Sequence, residues 1–550
     1  MSNKQSLSPE QDRAANPAEN VWVQANAGTG KTSVLVQRLL RILFRNSPSL
    51  AKPLWPTEVD GIVETPALCA LRSATSKTGI LCLTYTNAGA SEMRNRILAA
   101  LRDWAMADDA RLRDMLVGIS ENTSPNDTDL GRARAIFYTY IDNPDILKIK
   151  TIHGFCEEIL RRFPMEAGVS PAWNLVSDSN QKILLADAFH RLINTPDTGA
   201  GQSGQIADAF AHIVERISEH SFDELLGSLT TQYRQFFQVN SVSSYRKYFI
   251  DTIRYFLNLD LPVQTDISTE KLQNIIKSTQ DDINSSKKPA AYLLNIVNLT
   301  KQFIDKTIDF EEYKNAYLTA SDAKIVNIGK KDYLADEQDR VHRLNQRRLD
   351  EQIFADTVAL FDLSAAFAKT YKDIKAERNL LDFDDLILYT RKLFSKPDSM
   401  GWVLSQLDLS LSHILVDEAQ DTSPEQWDIL RMLSGDFFVA GDTRGAARSL
   451  FVVGDTKQSI YGFQGADPSA FSDSREQIAA QIRNNLRVIA EIPLTQSFRS
   501  TESILRAVDH FFENPNIRDF AGFINNDHKC FRKDAPGLVE IHKLVSKESD

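Results

Sequence analysis

The stretch VWVQANAGTGKTSVLVQRLL, residues 21–40, decides the fold. It begins with a short apolar run and continues through a loop of small residues that ends in Gly-Lys-Thr. It closes with apolar residues at helical spacing. The loop ANAGTGKT (25–32) fits the pattern GxxxxGK[ST], except that Ala25 replaces the first glycine. A strand, a glycine-rich loop and a helix in this order predict a phosphate-binding unit.

The chemistry of this loop suits a nucleoside triphosphate. Gly28 and Gly30 allow backbone N–H groups to turn toward phosphate oxygens, and Lys31 can reach the β and γ phosphates. The hydroxyl of Thr32 can bind Mg²⁺, and the following helix points its positive N-terminus at the anion. A glycine-rich turn without a ligand is the alternative. The predicted nucleotide contacts in the loop are Ala25, Asn26, Ala27, Gly28, Thr29, Gly30, Lys31, Thr32 and Ser33.

An acidic motif narrows the reaction. In ILVDEAQDTSPEQ (414–426) a strand brings Asp417 to its end, where it can hold Mg²⁺. The adjacent Glu418 can deprotonate an attacking water, which indicates hydrolysis. Ser423 and Gln426 are spaced as the N-cap and N3 residues of the next helix. An acidic loop without a catalytic role is the alternative.

Composition limits the class of protein. The chain has 550 residues, 42% of them hydrophobic, and a net charge of −11, so we expect a globular protein of two to four domains. The acidic balance excludes a wholly basic nucleic-acid coat but allows a local basic channel. No apolar run approaches the roughly 18 residues that span a bilayer, so we expect no membrane partner. The four cysteines form no CxxC pair, which is typical of a cytoplasmic protein with reduced thiols.

The order of strand-like and helical segments predicts the domain organisation. Apolar strands alternate with helices near the N-terminus, which indicates an α/β fold with a parallel sheet. Charged amphipathic helices dominate from about 105 to 375, and the α/β pattern returns near 411. We therefore expect one α/β domain built from residues 1–104 and 376–480, with a helical insertion at 105–375. Residues 481–550 would form the start of a second, incomplete domain.

Several further motifs follow one another along the chain. They are LSPEQDRAA (7–15), LTYTNAGASEMRNRI (83–97), TIHGFCEEILRRF (151–163), LDFDDLI (381–387), DEAQ (417–420), VVGDTKQSIYGFQGADPSAF (452–471) and LTQSFRS (494–500). In sequence and in order, these motifs resemble those of superfamily 1 DNA helicases of the UvrD type. The resemblance implies RecA-like domains, ATP and Mg²⁺ as cofactors, and translocation along DNA in the 3′ to 5′ direction.

The resemblance also implies roles for single residues. Gln11 would read adenine, and Phe498 would stack on it. Gln458 would sense the γ-phosphate, and Arg499 would reach it as an arginine finger. The aromatic DNA contacts would stack on bases, although the same residues could belong to the core. The implied DNA contacts are Thr84, Tyr85, Thr86, Asn87, Thr151, His153, Tyr461, Phe463 and Gln464.

Within this family, TIHGFCEEILRRFPMEAGVSP (151–171) and ANAGTGKT are similar to the AddA subunits of alphaproteobacterial AddAB helicase–nucleases. This likeness implies a role in double-strand break repair, with single-stranded DNA and duplex ends as substrates and an AddB-like protein as partner. A nucleotide-binding remnant or scaffold, which binds DNA without unwinding it, is the alternative.

The segment after residue 480 is short for a second RecA-like domain, which typically needs more than about 100 residues. It contains LTQSFRS, a helical pattern at 501–512 and a strand-like stretch, GLVEIHKL (537–544). We therefore expect residues 1–550 to bind nucleotide, to hydrolyse little of it and not to unwind DNA. We also expect Phe511, Phe512 and Phe520 to be exposed or loosely covered.

Overall fold

The structure is a computed structural model that describes most of the chain. The described residues are 7–46, 79–120, 124–144, 147–194, 202–218, 221, 224–225, 228, 242–262, 267–288, 290–328, 330–396, 401–403, 406, 411–439, 448–462, 465–484, 487–520 and 528–542. The chain forms two compact units. The first contains Met1–Leu175 and Leu381–Asp550, and the second contains Val176–Leu380.

A parallel six-stranded sheet forms the centre of the first unit, in the order β3-β2-β6-β7-β1-β8. The strands among the described residues are β1 (Asn20–Ala25), β2 (Gly79–Thr84), β3 (Leu147–Thr151), β4 (Asn174–Leu175), β5 (Leu380–Leu381), β6 (Leu411–Val416), β7 (Ser449–Gly454), β8 (Ile489–Leu494), β9 (Gln496–Thr501) and β10 (Lys529–Arg532). Strands β9 and β10 form a separate parallel pair. The predicted α/β fold with a parallel sheet is confirmed.

The helices divide between the two units. The first unit contains α1 (Pro9–Ala14), α2 (Lys31–Asn46), α3 (Asn87–Met106), α4 (Asp109–Leu116), α5 (Asp127–Asp142), α6 (Ile152–Arg162) and α7 (Pro164–Ala167). The second contains α8 (Asp178–Ile193), α9 (Gln202–Val214), α10 (Val242–Phe256), α11 (Thr269–Ser285), α12 (Ala291–Ile304), α13 (Phe310–Tyr313) and α14 (Asp332–Glu377). The first unit resumes with α15 (Phe383–Phe394), α16 (Pro424–Val439), α17 (Pro468–Asn484), α18 (Glu502–Phe512) and α19 (Pro515–Phe520).

Both faces of the sheet are covered by a hydrophobic core. Val21 and Val23 of β1 enter one core, while Trp22 between them enters the other. The ring of Trp22 stacks on Trp427 at 5.6 Å, and its centroid lies 4.8 Å from that of Phe471. This two-sided burial explains why the central strands read as continuous apolar runs.

The expected start of the insertion at residue 105 differs from the observed unit boundary after Leu175. Helices α4 and α5 place Leu112 and Ile136 in a core of the sheet, and β3 is an edge strand. Amphipathic helices look alike whether they cover a sheet or form their own domain. The edge strand LKIKT (147–151) alternates apolar and polar residues, so it lacks the apolar run of a central strand.

The expected boundary at 480 also differs from the structure, because β8 pairs with β1 inside the first sheet. The strand-like stretch GLVEIHKL could add one strand, but residues 537–542 form none, and the strand that pairs with β9 is β10 instead. Residues 543 and 544 lie outside the described residues. The predicted helix near 501–512 is present as α18, and Phe511 is exposed as expected, whereas Phe512 is partly buried. The side chain of Phe520 lies outside the described part of the structure.

The second unit is helical and is organised around α14, which is 46 residues long. Its largest core joins α11, α12, α13 and the N-terminal half of α14, through residues such as Ile296, Tyr313 and Val341. Across the described ranges of both units, the helices are too short or too polar to span a membrane.

Candidate functional site

The loops that follow β1, β6 and β7 meet at one edge of the sheet, because parallel strands share the edge at which they end. The loop after β1 carries the predicted phosphate loop, and the loop after β6 carries Asp417 and Glu418. The loop after β7 carries Asp455 and Gln458. Three motifs that lie far apart in the sequence therefore form one site.

Two glycines shape the phosphate loop. Gly28 and Gly30 adopt the left-handed region, with φ of +74° and +83°. A Cβ atom on Gly28 would lie 2.5 Å from the Cβ of Arg499, and one on Gly30 would lie 3.0 Å from Nε2 of Gln11. Both positions therefore need glycine for their backbone conformation, and Gly28 needs it for close approach as well. Helix α2 begins directly after them at Lys31.

Lys31 and Glu418 form the central contact of the site. Nζ of Lys31 lies 3.3 Å from Oε2 of Glu418, although the two residues are 387 positions apart. The Lys31 side chain is 11% exposed and that of Glu418 is 45% exposed. Glu418 itself is held in the left-handed region, with φ of +49°. The predicted phosphate lysine and the predicted base are thus brought together at a surface that a ligand can reach.

Asp417 lies at the end of β6, where its backbone N–H donates to the carbonyl of Leu83 at 2.9 Å. Burial, together with the neighbouring Glu418, raises the pKa of Asp417 to about 6. A cation would favour the ionised carboxylate, so Asp417 and the hydroxyl of Thr32 fit a Mg²⁺ ion that also binds the triphosphate. Within the described ranges, no three His, Cys, Asp or Glu residues cluster as metal ligands. Mg²⁺ at phosphate sites typically uses only one or two protein carboxylates.

Gln420 connects two of the motifs, a role that the sequence did not indicate. Its Nε2 donates to Oε2 of Glu418 at 2.8 Å, and its Oε1 accepts from the backbone N–H of Asp455 at 2.8 Å. Asp455 in turn accepts a hydrogen bond from Nε2 of Gln458. Gln420 is buried. The sequence shows that Gln420 belongs to the DEAQ motif, but it does not indicate the hydrogen bond to Asp455 in the loop after β7.

Lys457 is a second lysine beside the phosphate loop, and it was absent from the predicted site. Its Nζ donates to Oδ1 of Asn26 at 3.2 Å. Burial lowers the pKa of this lysine. Its position next to Gln458 was the one signal that could have identified it.

Three residues with implied nucleotide roles lie against the phosphate loop. Gln11 is buried, with Nε2 donating to the Thr29 carbonyl at 2.9 Å and Oε1 accepting from the Ser8 N–H at 3.0 Å. The backbone N–H of Phe498 donates to the Gly28 carbonyl at 2.8 Å. Arg499 follows and is exposed. Their contacts with adenine and the γ-phosphate stay predictions.

The polar DNA candidates lie after β2 and β3, whose ends Thr84 and Thr151 pair in register. Thr86 caps α3 by accepting from the Gly89 N–H at 3.0 Å, and Thr151 caps α6 by accepting from the Gly154 N–H at 3.1 Å. Thr84 is buried and donates to the Thr86 carbonyl. Two adjacent helix N-termini suit phosphate, although these three hydroxyls already serve the local structure.

The aromatic DNA candidates form two contacts. The ring centroids of Tyr85 and Tyr461 are 4.6 Å apart, and both residues are half-buried. His153 packs edge-on against Phe383 at 5.6 Å. Asn87 is exposed at the start of α3. Phe463 and Gln464 lie outside the described residues.

The predicted capping box of the acidic motif is confirmed. Ser423 accepts from the Gln426 N–H at 3.3 Å, and Oε1 of Gln426 accepts from the Ser423 N–H at 3.1 Å. The box fixes the start of α16 directly after the acidic loop.

A glycine-rich loop after β1 and an Asp-Glu pair after β6 define the first unit as a P-loop nucleoside-triphosphate-binding domain.

The sequence model of the UvrD/REP helicase N-terminal domain matches residues 7–479. Since the match covers most of the chain, the protein belongs to the UvrD/REP helicase family, and membership implies the use of ATP.

Relatives that are named as subunits of an ATP-dependent helicase/nuclease are similar to this chain. The protein of Listeria monocytogenes serotype 4a is 26% identical, over 90% of this chain and 38% of its own length. The protein of Latilactobacillus sakei subsp. sakei is 26% identical, over 95% of this chain and 55% of its own length. The protein of Oceanobacillus iheyensis is 24% identical, over 96% of this chain and 40% of its own length. The chain therefore spans less than two thirds of the length of these relatives.

Proposed function

We propose that this chain is the ATP-binding motor portion of a DNA helicase, which steps along single-stranded DNA. Family membership and the helicase/nuclease names of the relatives support the proposal. The observation that carries it is the 3.3 Å contact between Lys31 and Glu418, because it joins a phosphate ligand and a hydrolytic base in one site.

In this proposal ATP replaces Glu418 as the partner of Lys31. Lys31 would then neutralise the β and γ phosphates, while Thr32 and Asp417 would hold the Mg²⁺ that balances phosphate charge. Glu418, released from the lysine, orients and deprotonates the attacking water. Gln458 and Arg499 contact the γ-phosphate, where an arginine is often worth about 10³–10⁵ in rate.

The path from nucleotide to DNA runs through the loop after β7. Gln420 joins Glu418 to Asp455, Asp455 accepts from Gln458, and Tyr461 follows in the same loop. Because Tyr461 packs on Tyr85, a change at the γ-phosphate can reach an aromatic pair. Each base stacked on such a ring contributes about 1–3 kcal/mol without demanding a particular sequence.

The finer parts of the proposal follow the relatives and the resemblance to AddA. They are movement in the 3′ to 5′ direction, a role in double-strand break repair in the cytoplasm, single-stranded DNA and duplex ends as substrates, and an AddB-like partner. The second unit would be the helical insertion of a RecA-like domain. The parallel β9-α18-β10 arrangement suits the start of a second RecA-like domain.

The test is the affinity for a labelled oligothymidylate at fixed salt, with and without a Mg²⁺-bound ATP analogue that resists hydrolysis. A motor couples the two sites, so the analogue should change DNA affinity by about fivefold or more. Tyr461→Ala should weaken DNA binding by about tenfold, as expected for one lost stacking contact, and leave nucleotide affinity unchanged. Tyr138→Ala, an exposed tyrosine on α5, is the matched control. Equal DNA affinity with and without the analogue would instead identify a non-motor scaffold.

A further inference from the structure

Helix α10 of the second unit exposes an unusual number of large aromatic side chains. Tyr248 is 67% exposed, Tyr255 is 77% exposed and Phe256 is 74% exposed, and Tyr245 is exposed as well. Residues 245, 248 and 255 fall within about 80° of one another around a helix and span about 15 Å along its axis. We call Tyr245, Tyr248 and Tyr255 the tyrosine stripe.

The stripe is exposed although the helix that carries it is firmly held. On the side that faces α14, Phe249 stacks on Phe361 with ring centroids 4.5 Å apart, and Tyr245, at one end of the stripe, also stacks on Phe361 at 6.0 Å. Arg246 binds Asp362 through two hydrogen bonds of 2.6 and 2.7 Å. A helix anchored in this way presents its tyrosines as a rigid surface, which lowers the entropy cost of binding a partner.

The charges beside the stripe distinguish between two classes of partner. Arg246 is paired with Asp362, and Arg254 is paired with Asp260 at 2.7 Å. The remaining charges of the helix, Lys247 and Asp251, have opposite sign. A DNA groove gains its affinity from cations that neutralise phosphates, whereas the core of a protein interface is depleted of net charge and enriched in tyrosine.

From this we infer that the tyrosine stripe docks a partner protein through a largely apolar, nearly neutral surface with acceptors for the tyrosine hydroxyls. The relatives are named as subunits, so the inference rests on the proposed function and assigns its partner to this surface. Exposed aromatic residues on a rigid helix are typical hot spots, which carry most of the energy of an interface.

The experiment measures binding of the AddB-like protein from the same genome to immobilised chain by biolayer interferometry. Tyr248→Ala combined with Tyr255→Ala should weaken binding by about 30-fold or more, as the loss of a hot spot does. Tyr248→Phe combined with Tyr255→Phe should retain most of the affinity, because the ring area remains. Tyr138→Ala, which removes an exposed tyrosine of the first unit, should change nothing.

Mg²⁺-ATP affinity, measured on the same proteins, separates this inference from the proposed function. Normal nucleotide affinity with weakened binding of the AddB-like protein supports the stripe as the docking surface. Equal binding of that protein by the double alanine variant overturns it, as does a wild-type chain that binds ATP but not the AddB-like protein. Loss of single-stranded DNA affinity in the alanine variant, with partner binding intact, would assign the stripe to nucleic acid.

Discussion

The parallel strands of the six-stranded sheet all begin at one edge, the amino edge, and end at the opposite one, the carboxyl edge. Each of these edges holds a cation, but in a different way. At the amino edge, Arg38 is fully buried and donates to the carbonyls of Ala14 and Glu19 and to the hydroxyl of Ser449. At the carboxyl edge, Lys31 contacts Glu418, an acid that is itself half-exposed. Fixed acceptors hold Arg38 in one structural role, whereas an ion pair open to solvent can be exchanged for a phosphate.

The cost of burial supports this distinction. Burial lowers the pKa of Arg38 to about 9, so the fold accepts a large desolvation penalty at the amino edge. That penalty is offset by hydrogen bonds that join α1, α2 and β7. A buried charge with fixed partners therefore stabilises the domain, while a charge with an exchangeable partner is suited to chemistry.

The largest expected effect is on stability at the amino edge. Arg38→Met should lower the free energy of unfolding by about 3–5 kcal/mol, because three acceptors lose their donor. Nucleotide affinity per folded molecule should stay unchanged. Chemical denaturation and an ATP titration check the two halves of this prediction, with Arg45→Met on the last turn of α2 as the control. A folded Arg38→Met protein with weak ATP binding would erase the distinction between the edges.

A smaller effect is expected for the coupling residue at the carboxyl edge. Gln420→Met removes the hydrogen bonds to Glu418 and Asp455 with little change in size. ATP affinity should remain within about threefold, while the effect of the ATP analogue on DNA affinity should fall toward zero, a coupling of about 1–3 kcal/mol. The labelled oligothymidylate titration measures this coupling. Full coupling in the variant would return Gln420 to a purely structural role.

The smallest expected effect concerns acid stability at the amino edge. Burial, with help from Arg38, lowers the pKa of His413 to about 3, and its Nδ1 lies 2.8 Å from Oγ of Ser449. An unfolded histidine takes up a proton below about 6.5, whereas the folded one stays neutral. His413 therefore contributes stability above pH 6.5 that is lost as pH falls toward 3, by at most about 1.4 kcal/mol per pH unit.

His413→Gln should flatten this loss in denaturation curves recorded between pH 7 and pH 5. Wild-type curves over the same pH range provide the reference slope. An unchanged slope for His413→Gln would show that His413 is not the acid-sensitive group of this edge.

Structural features set by residues that lie close together in the sequence were predictable from it. The phosphate loop, the end of β6 at Asp417 and the capping box at Ser423 each lie within a few consecutive residues. Local geometry and hydrogen bonding set these structures, so residue type and spacing are enough to predict them.

Features that depend on distant partners were not predictable. Strands β3 and β8 are the two outermost strands of the sheet, so their burial is partial and their apolar pattern is broken. The role of Gln420 depends on Asp455, which is 35 residues away in the chain. The unit boundary at 175 depends on which surface α4 and α5 cover, and their amphipathic pattern does not specify that surface.

The contrast between the edges rests on Lys31 exchanging Glu418 for phosphate, and a titration of Mg²⁺-ATP into three proteins tests it. Because Glu418 competes with phosphate for Lys31, Glu418→Gln should bind Mg²⁺-ATP at least as tightly as the wild type and fail to hydrolyse it. Lys31→Ala should lose about 100-fold in affinity, since the phosphates lose a charge-assisted contact, with its melting temperature unchanged. Wild-type affinity in a folded Lys31→Ala protein, or lost binding in a folded Glu418→Gln protein, would contradict the exchange.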